Sequence, residues 1–265
     1  MTLSEKQYNY ICLTVNRISG IVLKEGKETL VKSRLLKRIK ALRLKNFKEY
    51  IDYIKSRTGQ NEIIKMVDAI TTNKTSFFRE PAHFDYLAEK IVPQLKNKRI
   101  RFWSAACSSG EEPYSLAMLL HEKITDIEKK DVKILSTDIS SLMLNRALDG
   151  AYHKDHIDHI PNQYVDKYFC KIKGVDAKYQ LKDNIRSIVQ VSFLNLMGTW
   201  PMRGPFDVIF CRNVMIYFNR QTQGKLINRF WDLLSPNGYL FVGSSEGLAG
   251  IQHKFKYIKP AIYKK

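Results

Sequence analysis

Between Leu3 and about Met66 the apolar positions return every three or four residues and strand-like runs are few, a pattern that predicts a small all-α unit. Within it Val31, Leu35, Ile39 and Leu42 mark one face of a helix, while Arg34, Lys37 and Arg38 fall on another. After Pro93 the pattern becomes short apolar runs alternating with helical ones, as in a parallel sheet with crossover helices. Strands are expected at Ile100–Ala105, Val132–Thr137, Pro205–Cys211 and Tyr239–Gly243. Helices are expected at Pro113–Ile124, Ser140–Leu148 and Arg220–Leu234, the last stopped by Ser235-Pro-Asn-Gly238. Two β-like pieces, Lys178–Leu181 and Ile185–Val191, joined by Lys182-Asp-Asn184, predict a small antiparallel β-subdomain inserted at about 165–192. The tail from Phe255 to Tyr263 predicts a hairpin around Pro260. The fold class is therefore α/β, divided into an all-α N-terminal domain (1–66), a connector (67–93) and a sheet domain (94–265). The connector holds Phe77-Phe78, a pair that calls for burial rather than a bare linker.

Composition adds a charge to this outline. The 265 residues carry 44 Lys and Arg against 26 Asp and Glu, a formal net charge of +18. Such a surplus attracts an acidic partner, whether nucleic acid, an anionic membrane surface or an acidic protein. It is concentrated in the helical unit, where Lys40, Arg43, Lys45 and Lys48 extend the basic face with no acidic residue between Lys32 and Lys48. No apolar run approaches the roughly 18 residues needed to span a bilayer, and the opening residues lack a signal-peptide core, so a cytoplasmic protein without membrane insertion is expected. Cys12, Cys107, Cys170 and Cys211 share no metal-ligand spacing and read as reduced thiols. His153, His156 and His159 recur in a polar segment with Asp155 and Asp158, but no further Cys or His completes a tetrahedral set, so no metal is expected.

The segment Phe102-Trp-Ser-Ala-Ala-Cys-Ser-Ser-Gly-Glu-Glu-Pro-Tyr-Ser115 carries the candidate chemistry. A buried strand, a turn of small residues and a helix start allow backbone N–H groups close to a nucleotide-like ligand, as in Rossmann-like sheets. Here Glu111 and Glu112 stand where a phosphate would sit, which favours a cationic ligand such as S-adenosylmethionine. Acidic residues and Pro113 also suit any helix N-terminus. Asp138, at the end of the second strand, is placed to accept hydrogen bonds from ribose hydroxyls or to cap the next helix.

Three motifs then agree: Thr71-Thr-Asn-Lys-Thr-Ser-Phe-Phe-Arg-Glu80, Trp103–Ser115 and Phe206-Asp-Val-Ile-Phe-Cys-Arg-Asn-Val-Met-Ile-Tyr-Phe218. Together they resemble the CheR-type chemotaxis receptor methyltransferases, over essentially the whole chain. The resemblance implies a Rossmann-like methyltransferase domain that takes a methyl group from S-adenosylmethionine to receptor glutamates. It further implies that Asn73, Thr75 and Arg79 approach the methionine end of the cofactor or the reacting carboxylate. Glu112 would meet the ammonium group, Asp138 the ribose, Asn195 and Leu196 the adenine, and Asn213 and Val214 the cofactor from the opposite strand end. Tyr217 would lie with Arg79 at the reacting centre, and Ser108, Gly110 and Glu111 would shape the turn.

Two departures from the family pattern matter. Cys107 stands where alanine is usual, and Lys171–Lys178 lacks the glycine-rich pattern used to grip a receptor's C-terminal pentapeptide, so a pentapeptide-independent enzyme is expected. Arg34, Lys37, Arg38 and Arg43 are the residues expected to dock an acidic receptor helix, with no nucleic-acid partner. An RNA methyltransferase and a non-catalytic S-adenosylmethionine-sensing adaptor are the alternatives.

Overall fold

The computed structural model describes residues 1–265. Helix α1 (Glu5–Ser19) begins in a capping box between Ser4 and Gln7 and ends at Gly20, whose φ of 75° suits a left-handed cap. Helices α2 (Glu28–Ala41), α3 (Phe47–Lys55) and α4 (Gln60–Ile70) follow, and the stripe Val31, Leu35 and Ile39 is wholly buried among them. The all-α unit therefore runs past Met66 to Ile70. The stretch read as a connector is partly helical: α5 (Pro81–Tyr86) continues through tighter and wider helical turns to Gln94.

The main sheet has seven strands. In chain order its members are β1 (Arg99–Ala105), β2 (Asp131–Asp138), β6 (Val189–Phe193), β7 (Phe206–Cys211), β8 (Leu234–Val242), β9 (Lys256–Lys259) and β10 (Ile262–Lys264). Their spatial order is β6-β2-β1-β7-β8-β10-β9, parallel from β6 to β8, with β10 antiparallel to both β8 and β9. Central strands covered on both faces need apolar side chains in both directions, which accounts for Val208-Ile-Phe-Cys211. Helices α6 (Glu111–Lys123), α7 (Ser141–Asp149) and α11 (Arg220–Leu233) form the crossovers.

A second sheet of three antiparallel strands, β3 (Ala151–His153), β4 (Phe169–Lys171) and β5 (Lys178–Leu181), has β5 at its centre. Between its first two strands lie α8 (Lys154–Ile157) and α9 (Asn162–Tyr168). This corrects the expected hairpin of 178–181 with 185–191. Residues Asp183–Arg186 form a helical turn, α10, with Ile185 fully buried, and β6 leaves the small sheet to extend the main one beside β2. The alternation in 185–191 marks extended chain but not its partner, and the free edge of β2 offers five parallel register positions from Val189 to Phe193.

Two cores flank the main sheet. On one side α1–α4 and α11 share a continuous cluster that includes Ile11, Leu35, Phe47, Trp103, Ile209, Phe230 and Leu240. On the other, α5, α6 and the small sheet surround Phe77, Leu87, Phe102, Leu116, Tyr168 and Phe210. Phe77 meets Tyr152 and Phe169 edge-on, at centroid separations of 4.9 and 5.7 Å. That burial pins the 71–80 segment over the carboxyl ends of the strands.

Candidate active site

The turn after β1 is unusually bent, with Ala106, Ser108 and Gly110 all at positive φ. A side chain at Gly110 would bring Cβ within 2.9 Å of Ala147 Cβ and 3.0 Å of the Tyr152 hydroxyl, so only glycine lets the turn lie this close to α7 and β3. Asp138 braces the turn: Oδ2 accepts from the Ser108 N–H and Oδ1 from the Ser140 N–H, each at 2.8 Å. Burial pushes its carboxyl up, against the pull of these donors.

Glu112, in the first turn of α6, accepts from the Ser104 hydroxyl at 2.7 Å and from Arg212 at 2.9 Å. Burial nevertheless holds its carboxyl above the usual range. The Arg212 guanidinium is itself buried, lies 3.2 Å from Glu80 and donates to the Arg79 carbonyl. Glu80 also accepts from the Asn213 side chain and the Ser244 N–H, both at 3.2 Å. Burial pushes Glu80 up, but Arg212 and these donors outweigh it and hold the carboxyl below its ordinary value. Beside them His83 is lowered to about 4, first by burial and then by Arg212, so it is neutral at physiological pH. Its Nδ1 lies 3.3 Å from Glu80 without hydrogen-bond geometry.

Of these, Ser108, Glu112, Asp138, Arg212 and Asn213 border one cavity of about 440 Å³. Asn73, Thr75, Arg79, Glu112, Asp138, Asn195, Leu196, Asn213, Val214 and Tyr217 all line it, together with apolar Ile139, Leu194 and Phe218. The Ser108 hydroxyl donates to the Asn73 carbonyl at 3.1 Å, which ties the 71–80 segment to the turn. Arg79 is half-buried and donates through Nη1 to the Lys74 carbonyl, 2.8 Å away. Asn213 sits at φ 59°, and its N–H donates to Glu246, which also accepts from Gly243 and Ile216 and so joins the ends of β7 and β8. Cys107 lines the cavity too, with a buried thiol held well above its ordinary pKa by that burial.

The remaining wall comes from the all-α unit. Ile21, Val22, Leu23, Lys24, Lys27 and Leu30, in and after the loop between α1 and α2, face the same space. The Val22 N–H donates to the Tyr217 carbonyl at 2.8 Å and fixes the loop there. No local signal in the sequence marks these residues. Arg212 had one: a charge directly following the buried run of β7.

The basic face is divided between engaged and free cations. Arg34 donates to the Ile70 and Thr71 carbonyls, capping α4, and Arg38 makes a two-pronged pair with Glu62 at 2.8 and 2.7 Å. Glu62 is buried and also accepts from the Tyr50 hydroxyl at 3.2 Å. Both arginines thus serve the contact between α2 and α4 while remaining part-exposed. Lys37 and Arg43 are exposed, along with Lys40, Lys45 and Lys48.

The three histidines point to separate places: His153 lies 3.3 Å from Asp155, His156 lies 3.5 Å from buried Glu111, and His159 is 2.9 Å from the Phe77 carbonyl. No group of three His, Cys, Asp or Glu side chains is gathered to hold a metal ion. No helix is long and apolar enough to cross a membrane.

Comparison with known proteins agrees over nearly the full length. Residues 6–71 match the family pattern described as CheR methyltransferase, all-alpha domain, and residues 73–263 match CheR methyltransferase, SAM binding domain. The chain is 44% identical over 255 residues to the chemotaxis protein methyltransferase of Borreliella burgdorferi, covering 93% of this chain and 89% of that one. It is 38% identical over 250 residues to chemotaxis protein methyltransferase 2 of Pseudomonas aeruginosa, covering 93% and 88%. Identity to the chemotaxis protein methyltransferase of Escherichia coli is 34% over 265 residues, covering 99% and 92%.

Proposed function

The chain belongs to the CheR methyltransferase family, and from that premise we propose that it esterifies glutamate side chains on the cytoplasmic helices of a chemotaxis receptor, with S-adenosylmethionine as methyl donor. The observation that carries this reading is the meeting of part-buried Glu112 and buried Asp138 with half-buried Arg79 and Tyr217 around one cavity. Glu80 and Glu112 face a single guanidinium, Arg212, with His83 neutral, so the ionised cluster holds one negative charge in excess. An ammonium group beside Glu112 would balance it. Apolar Ile139, Leu194 and Val214 suit the adenosine body, and Asp138 its ribose hydroxyls.

The donor supplies a methyl carbon made electrophilic by its bond to a sulfonium. An incoming glutamate oxygen attacks that carbon in line while the carbon–sulfur bond breaks and sulfur keeps the electron pair, leaving a neutral ester and a thioether. A glutamate is already ionised near neutral pH, so no residue has to remove a proton. The protein's contribution is alignment and exclusion of water, since charge is annihilated in the step. Arg79 still has N–H groups beyond the one given to Lys74 and can hold the incoming carboxylate in a two-point contact, with Tyr217 as its hydrogen-bonding neighbour. Asn73 and Thr75 would meet the methionine end, and Asn213 and Val214 the opposite side. Lys37 and Arg43 are the docking cations in this reading, the receptor being engaged by its acidic helix in the cytoplasm without a tail peptide.

The test is incubation with methyl-labelled S-adenosylmethionine and a receptor cytoplasmic domain, followed by alkaline release of methanol. Volatile label is expected. An alkali-stable product, or label passing to RNA, would replace this reading with another methyl transfer.

A further inference from the structure

Arg229 lies on α11, outside the cavity, yet it holds the segment expected to meet the adenine. Its guanidinium stacks over the Trp200 ring at 3.6 Å and donates from Nη1 to the Leu196 carbonyl and from Nη2 to the Gly198 carbonyl, both at 2.7 Å. Two parallel bonds from a planar fork fix both position and tilt of the turn, and stacking on Trp200 fixes the fork. The turn is closed from within as well: Asn195 Oδ1 accepts from the Met197 N–H at 2.9 Å and the Asn195 carbonyl from the Gly198 N–H at 2.9 Å. With the carbonyls so engaged, the Leu196 N–H is left without a protein acceptor while Leu196 lines the cavity. A free N–H on a rigid turn is what a ring nitrogen of a purine needs as its donor.

We propose that Arg229 is a positioning residue for the base end of the donor, setting its affinity by holding the Leu196–Gly198 turn in register. The inference rests on the function proposed above, since it takes the adenine to lie against this turn. It acts on binding alone, because Arg229 touches neither the reacting carboxylate nor the methionine end.

The experiment is calorimetry of the full chain with two probes, S-adenosylhomocysteine and 5′-methylthioadenosine, which share the base and ribose but not the amino-acid end. Arg229→Met is expected to weaken both by the same factor, about tenfold, and Arg229→Lys, which can restore one of the two bonds, by about threefold. In turnover the donor KM rises by that factor while kcat at saturating donor and the receptor KM stay put. A residue that merely stabilised the fold would lower the melting temperature and leave these constants unchanged in the folded fraction. Wild-type affinity in folded Arg229→Met, or a loss confined to the probe with the amino-acid end, would overturn the inference. If the unsubstituted protein bound neither probe, the proposed function would fall with it.

Discussion

Replacing Arg212 by methionine tests the electrostatic argument at its centre. The substitution keeps the length of an unbranched side chain but removes the cation between Glu80 and Glu112, whose side chains are 20% and 14% exposed. Breaking a buried ion pair from one side strands the remaining charge, which typically costs about 3–5 kcal/mol. Here two carboxylates lose their partner at once, and the Arg79 carbonyl loses a donor. The upper half of that range is expected, about 4–5 kcal/mol near neutral pH.

The loss should also depend on pH, with a sign that follows from the environment. In the native protein Glu112 is already held above its ordinary value by burial, and Glu80 is held below it only because Arg212 and its donors outweigh burial. Without Arg212 both carboxyls bind protons more readily than in the wild-type protein, and Glu112, raised already, is raised further. A raised carboxyl has its stability in full below the unfolded pKa and loses it as pH rises toward the folded one. Urea unfolding of Arg212→Met at about pH 5 and about pH 8 should therefore show the larger deficit at the higher pH. The wild-type protein should show less of this trend, since Glu80 contributes in the opposite sense. Adding Glu112→Gln to Arg212→Met should recover part of the loss, because it removes one stranded charge. A deficit below about 1 kcal/mol, the size of an exposed pair, or one equal at both pH values, would refute the account.

Arg38→Ala should cost about 2 kcal/mol, reduced from the fully buried case because Arg38 is 26% exposed while Glu62 is 3%; Lys37→Ala and Arg43→Ala should stay within about 0.5 kcal/mol by the same unfolding assay. The pattern should invert for receptor methylation at saturating donor, where Lys37→Ala and Arg43→Ala raise the receptor KM and the difference shrinks with added salt. Arg79→Ala should keep the calorimetric affinity for S-adenosylhomocysteine within about threefold and lower kcat by roughly a hundredfold through lost alignment; unchanged turnover would remove Arg79 from the reaction. Gly110→Ala, forced to φ 96° with Cβ 2.9 Å from Ala147, should lower stability by about 2 kcal/mol or more, and a variant as stable as wild type would show that the turn has room.

What could be read beforehand divides along physical lines. Strand β7 is written as an apolar run, Val208-Ile-Phe-Cys211, because burial on both faces is a local demand on composition, and β1 and β2 carry shorter buried stretches. The partner of β6 is a long-range choice, and Val189–Phe193 could not announce that the edge of β2 was vacant. Glu112, Asp138 and Asn213 could be placed beside the cavity because each stands at a strand end or in the turn or helix start that follows it, and Asn73 because it lies in the polar Thr71–Glu80 motif. A helical pattern gives a face but not what packs on it, so Arg34 and Arg38 passed for solvent-facing cations until α4 presented Glu62 and its carbonyl end. Arg212 carries a local signal at the end of β7, but its partners Glu112 and Arg79 lie 100 and 133 residues away along the chain.

The all-α unit and the sheet domain are joined more closely than two successive family patterns suggest, and this bears on how acceptor and donor meet. Their apolar residues form one continuous cluster from Ile11 and Leu35 to Ile209 and Leu240. At the cavity the junction is polar and specific: the Val22 N–H donates to the Tyr217 carbonyl at 2.8 Å, and Asn195 Nδ2 donates to the Ile18 carbonyl at 2.6 Å. Gly20 lies so near the turn after β6 that a Cβ there would stand 2.7 Å from the Met197 sulfur. The same helical unit thus bears the exposed lysines and Arg43 on its outside, touches the expected adenine turn through Ile18, and anchors the residue proposed beside the reacting carboxylate through Val22. A packed core transmits displacement rather than absorbing it. Under the proposed function, an acidic helix docked on that unit and a donor held in the cavity would communicate through this shared core and its two hydrogen bonds.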